Sequence, residues 1–160
     1  MSDIPAPISF RKTLKAIVST TTDMVHLNDS EGRILYVNPS TESILGYTTQ
    51  ELMNRPAADI LHPEDRMLIA DDMRNTASGG IPVAREGRLL HKKGHYIDVE
   101  VKGFLIDEGE KGACIGAIIR DISQRKRKEE ELTRYQANLE ELIRERTVSL
   151  EEQQRFLSLI

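Results

Sequence analysis

Tryptophan is absent from this 160-residue chain and cysteine occurs once. No stretch comes near the roughly 18 apolar residues that a membrane-spanning helix requires. The single thiol, Cys114, excludes an internal disulfide framework and fits a reducing compartment. There is no basic excess: the net charge is −4, which argues against a nucleic-acid partner. The segment before Phe10 contains Asp3 and two prolines, a poor secretion signal. The expected location is the cytoplasm, without direct membrane insertion, although a longer parent protein is free to carry an anchor. No glycine-rich phosphate loop occurs, and Gly79-Gly80 reads as a helix stop. His26, His62, His91 and His95 show no nucleophile or metal-ligand spacing. Asp71 and Asp72 are adjacent, but helical neighbours point about 100° apart and do not readily share a proton. The chain is therefore expected to be neither an enzyme nor a metal binder.

What is present is 39% apolar and 30% charged sequence, enough for one core plus a heavily solvated appendage. Phe10, Leu14, Ile17 and Val18 fall on one face of a predicted helix over 9–20. Residues 23–38 read as two strands around a turn at Asp29-Ser30-Glu31-Gly32. Asn38-Pro39 opens a helix that Gly46 ends, Thr48–Glu51 has capping-box spacing, and a third helix is expected from Pro63 to Gly79. Beyond Gly80 the period becomes two: Ile97, Val99 and Val101 alternate with Asp98, Glu100 and Lys102. The alternation shifts phase after Gly103, where a bulge is expected. A turn at 107–112 and a last strand through Ile119 follow. The reading is an α+β domain, a five-stranded antiparallel sheet with short helices on one face, divided as 1–20, 21–122 and 123–160.

From Ser123 the chain turns into a run of Lys, Arg and Glu with no glycine or proline after the apolar strand. Leu132, Tyr135, Leu139, Leu142, Arg146, Leu150, Gln153, Leu157 and Ile160 recur at steps of three and four, a coiled-coil seam with one stutter. The alternatives are a helix folded back on its own domain and a two-helix coil that makes a homodimer. The missing breaker marks Arg120, Asp121, Ile122, Ser123 and Arg125 as a mechanical junction, with Asp121 as the expected cap of the helix and Arg125 a possible partner one turn on.

Taken together, these segments resemble a PAS domain, a sensory module of bacterial and archaeal signalling proteins. The likeness covers about Ile17 to Ser123: "DMVHLNDSEGRILYVNPSTESILGYTTQEL", "LHPEDR", "REGRLLHKKGHYIDVEV" and "GACIGAIIRDISQRKRKEEEL". The resemblance implies that "RDIS" is the site at which the signal leaves the domain, with Ser123 in place of the usual threonine. "EELIRERTVSLEEQQRFLSLI" is similar to the linker that precedes the phosphoacceptor helix of sensor histidine kinases. A downstream kinase is thus implied. The alternatives are a second PAS domain, a cyclic-nucleotide enzyme or a chemotaxis receptor, with this module serving only for interaction and dimerisation.

The resemblance also speaks to cofactors. The reactive cysteine of flavin-binding relatives would fall at Ala57, with Pro56 where they carry asparagine. The axial histidine of haem-binding relatives would fall at Leu68 or Ile69, and Arg85 stands about where some have a distal arginine. Neither haem nor covalent flavin is expected. An unidentified small molecule in an apolar cleft, an empty packed core and a purely dimeric role all remain open. The strands are expected to contribute Val25, Leu27, Ile97, Val99, Val101, Ala117 and Ile119 to that cleft. The helices are expected to add Leu45, Leu61, Met67, Leu68 and Met73.

Overall fold

Alternating strands in this sequence pair as one antiparallel sheet, seen in a computed structural model that describes residues 9–107 and 113–160. Helix α1 (Phe10–Thr20) leads into β1 (Met24–Asn28) and β2 (Ile34–Val37). Two short helices, α2 (Pro39–Leu45) and α3 (Thr49–Leu52), two 3₁₀ turns (Ala57–Ile60 and Pro63–Asp65) and α4 (Arg66–Ala77) follow. Then come β3 (Ala84–Leu90), β4 (Tyr96–Asp107) and β5 (Ala113–Asp121), and the long helix α5 (Ser123–Ser158). The sheet order is β2-β1-β5-β4-β3, all neighbours antiparallel. The expected turn over 107–112 lies outside the described residues from 108 on.

Local signals explain the elements. Gly46 takes a left-handed φ of 77° and ends α2. The Thr48 hydroxyl receives the Glu51 N–H while the Glu51 carboxylate receives the Thr48 N–H, a complete capping box. Met24, Ile34, Leu45, Leu52, Ile60 and Val99 are fully buried between the sheet and the helices. The expected bulge at Gly103 is absent: β4 and β5 stay in register from Val99 opposite Asp121 to Asp107 opposite Ala113. Gly103 instead lets α4 approach, since a Cβ there would stand 2.8 Å from Met73 Sδ. Gly87 does the same for Ile69, at 2.8 Å from its Cδ1. The register shift lies elsewhere, between Leu27 and Asn28 where β1 meets β2.

The chain falls into two compact units, divided between Ile122 and Ser123. Described by itself, the second unit is one unbroken helix of 36 residues with none buried. Leu132, Tyr135, Leu139, Leu142, Leu150 and Leu157 all lie on it and are exposed. Ile160, the expected end of the seam, stands beyond the last helical residue, where the Leu159 N–H closes a tighter turn onto Phe156 O.

Candidate functional site: the cavity between sheet and helices

A cavity of about 350 Å³ opens between the inner face of the sheet and the helical layer. β5 lines it with Ile115, Ala117 and Ile119, β4 with Val101, and β1 with His26 and Asn28. The helical side adds Ala57, Ile60 and Leu61, then Ile69, Ala70 and Met73 from α4. Of the residues expected in the cleft, Leu61, Met73, Val101, Ala117 and Ile119 line this cavity. Leu45, Val99 and Ile97 belong to the packed core beside it.

Four expectations are corrected. Val25 and Leu27 lie on the opposite face of the sheet from the cavity, because Met24 and His26 are the buried residues of β1. The inward setting of His26 is accompanied by a hydrogen bond to Thr41. Met67 and Leu68 are 73% and 47% exposed, because Ile69, Met73 and Thr76 form the stripe of α4 that meets Gly87 and Gly103. Apolar character in α4 therefore does not mark the inner face. The helix also starts at Arg66, after the 3₁₀ turn that Pro63 opens.

Behind one polar residue of the cavity wall, His26, lies a bonded network. The Asn38 side chain, fully buried, donates from Nδ2 to Val18 O and Asp23 O, both at 3.0 Å. Its Oδ1 accepts the Val25 N–H at 2.9 Å and the Thr41 hydroxyl at 3.1 Å. All four of its hydrogen-bonding positions are used, which fixes its orientation. The Thr41 proton is thereby committed, so the 3.1 Å contact with His26 Nε2 requires that nitrogen to be the donor. His26 is the neutral Nε2–H tautomer, and burial pushes its pKa down to about 4. None of these roles was legible from periodicity. Asn38 was expected to cap α2, but its side chain makes no cap bond there and ties α1, β1 and α2 together instead.

Ion pairs brace the surrounding elements. Arg85 on β3 grips Asp72 of α4 at 2.7 Å, and Arg88 holds Asp65 at 2.8 Å. The neighbouring guanidinium keeps each carboxyl below its usual range. Asp71 pairs with Arg74. Among the described residues no group of three or more His, Cys, Asp or Glu is placed to hold a metal ion. No helix among them is long and apolar enough to cross a membrane.

At the junction, Asp121 closes β5 and Ser123 opens α5. The residue between them is Ile122, buried, with its N–H on Asp98 O at 2.9 Å. Arg125 lies 4.0 Å from Glu129, one turn on. Arg120 makes two bonds to Asp23, a contact that the sequence did not signal because 97 positions separate the partners.

Comparison with known proteins agrees with this architecture. The sequence model of the family described as PAS fold matches residues 34–118, more than half of the chain. The cell-division control histidine kinase PdhS of Brucella ovis is 31% identical over 138 residues, 84% of this chain and 13% of the kinase. The chain thus spans about an eighth of that relative's length. The crystal structure of a PAS domain from Colwellia psychrerythraea is similar with a TM-score of 0.64 at 24% identity, covering 72% of this chain and 99% of that one. The PAS domain of an HTR-like protein from Haloarcula marismortui gives a TM-score of 0.57 at 25% identity, over 70% of this chain and 96% of that one.

Proposed function

We propose that this chain, which belongs to the PAS-fold family of sensory modules, reads the state of its cavity and passes it through Arg120, Asp121 and Ile122 into α5, which pairs with α5 of a second copy and drives a histidine kinase. The observation that carries this reading is the double use of β5. Ile115, Ala117 and Ile119 wall the cavity, and two residues after Asp121 the same stretch of chain is helix α5. A shift of the cavity wall has no loop in which to dissipate before Ser123. The polar network gives a second route: His26 to Thr41 to Asn38, then Asp23 and its partner Arg120.

The kinase output is supported by the match to PdhS. It covers 84% of the chain, more than the 122 residues of the first unit, so the likeness extends into α5. The dimer is supported by the exposed apolar series Leu132, Tyr135, Leu139, Leu142, Leu150 and Leu157 on α5. By the resemblance the flavin-reactive cysteine would fall at Ala57 and the haem axial histidine at Leu68 or Ile69, so neither a covalently reacting flavin nor haem is the expected ligand. The chain itself is a cytoplasmic regulatory module without catalysis.

The test is cavity filling in the full-length parent. Ala117→Leu adds bulk to the cavity from β5 and is expected to change the autophosphorylation rate severalfold. Lys102→Gln, on an exposed position of the same sheet, is expected to leave it unchanged. Equal rates for both variants and the wild type would count against the cavity as the input.

A further inference from the structure

Two irregularities coincide at Asn28. The pairing of β1 with β2 shifts register between Leu27 and Asn28, and bulges of this kind re-aim a side chain. The Asn28 Oδ1 is buried and has no hydrogen-bond partner, while Asn28 lines the cavity. A buried acceptor without a donor is costly, and folds retain one where a ligand or water completes it. His26, the neighbouring polar wall residue, has its one ring proton committed to Thr41 and offers no second donor. Most of the remaining lining is apolar, with Ala57, Ile60, Ile69 and Met73 among it. The charged lining residues each have a partner: Asp29 receives the Glu31 and Arg33 N–H groups, Glu31 pairs with Arg33, Arg74 pairs with Asp71, and the exposed Arg66 donates to Leu61 O.

We infer that the cavity takes a neutral, mainly apolar molecule bearing one hydrogen-bond donor, a hydroxyl or an N–H, which Asn28 Oδ1 receives. A carboxylate would bring a further acceptor to an acceptor, and a plain hydrocarbon would leave Oδ1 unpaired. This inference rests on the reading of the cavity as the sensory site and adds the class of molecule that it selects.

The test uses the purified chain and three probes of one shape, 2-naphthol, naphthalene and 2-naphthoate, titrated while the backbone amide signals around the cavity are followed by NMR. The expected result is that 2-naphthol binds about tenfold more tightly than either of the others. In Asn28→Leu the ratio of 2-naphthol to naphthalene is expected to fall to about one while naphthalene still binds. The wild-type ratios decide the matter alone if that variant does not fold. Equal binding of 2-naphthol and naphthalene, or tightest binding of 2-naphthoate, would overturn the donor preference and leave the cavity reading standing. No binding of any probe would overturn both.

Discussion

Arg120 holds Asp23 through two N–H···O bonds, from Nε to Oδ1 at 3.1 Å and from a terminal nitrogen to Oδ2 at 2.8 Å. The pair joins the end of β5 to the residue before β1, and the backbone carbonyl of the same Asp23 receives the Asn38 amide. The polar network behind His26 and the strand that leads to α5 therefore meet at one carboxylate residue. Asp23 is mostly shielded while Arg120 is mostly exposed, which lets the bond hold or release without unpacking the core.

If this pair steadies the junction, Asp23→Ala and Arg120→Ala should each raise amide exchange severalfold over Ser123–Arg127. The double variant should rise no further than either single one, the signature of residues acting together. Wild-type exchange in all three variants would reduce the contact to an ordinary surface ion pair.

His26 predicts a pH dependence. Its folded pKa of about 4 lies below its unfolded value of 6.5, so the unfolded chain binds the proton first and stability declines as pH falls below 6.5. The loss between pH 7 and 4.5 is about 2 kcal/mol. Glu51, Asp65 and Asp72, whose pKa values are lowered, lose their contributions only at lower pH. The His91 pKa is also lowered, so the comparison with His26→Gln, which retains a donor for Thr41, isolates His26. Urea midpoints measured from pH 7 to 4.5 should converge for the two proteins toward acid. Parallel curves would show that His26 is not held neutral.

Asn38→Ala removes an amide that serves two carbonyls, one backbone N–H and one hydroxyl in a buried site. The expected loss is at least about 3 kcal/mol, since each stranded buried group costs roughly 1–3 kcal/mol. Equilibrium urea denaturation checks it, and a loss below about 1 kcal/mol would mean that water replaces the amide.

Much of this fold was legible because its signals are local. Gly46, the Thr48–Glu51 box and the Ile97-Val99-Val101 alternation each act within a few residues, and each appears where expected. The cavity was legible only in part. β4 showed its inner face in the Ile97-Val99-Val101 alternation and β5 its own in Ala117 and Ile119, whereas β1 hid its inner face because a polar residue, His26, occupies a buried position and bonds Thr41, fifteen residues away. In α4 the inner stripe is set by two glycines on β3 and β4, so Met67 and Leu68 misled. Asn28 carried no sequence signal, since its distinction is a bond that it does not make.

The paired helix has its own test. Leu139→Lys with Leu142→Lys places charge in the proposed seam and should give monomers by sedimentation, with the sheet unit still folded by circular dichroism. A variant that stays dimeric would move the interface elsewhere, with the exposed Phe10, Leu14 and Ile17 of α1 the first place to look.

The most direct measurement of the central claim is the phase of α5 in the full-length parent. Seven residues inserted between Glu131 and Leu132 preserve the seam, because seven residues are two turns of the supercoiled repeat. Two inserted residues rotate everything downstream by about 200°. If the junction transmits the state of the cavity by turning or tilting α5, autophosphorylation should remain regulated with the seven-residue insertion. It should be locked or inverted with the two-residue insertion, while both proteins stay folded dimers. Identical regulation in the two insertion variants would contradict the account and leave α5 a tether.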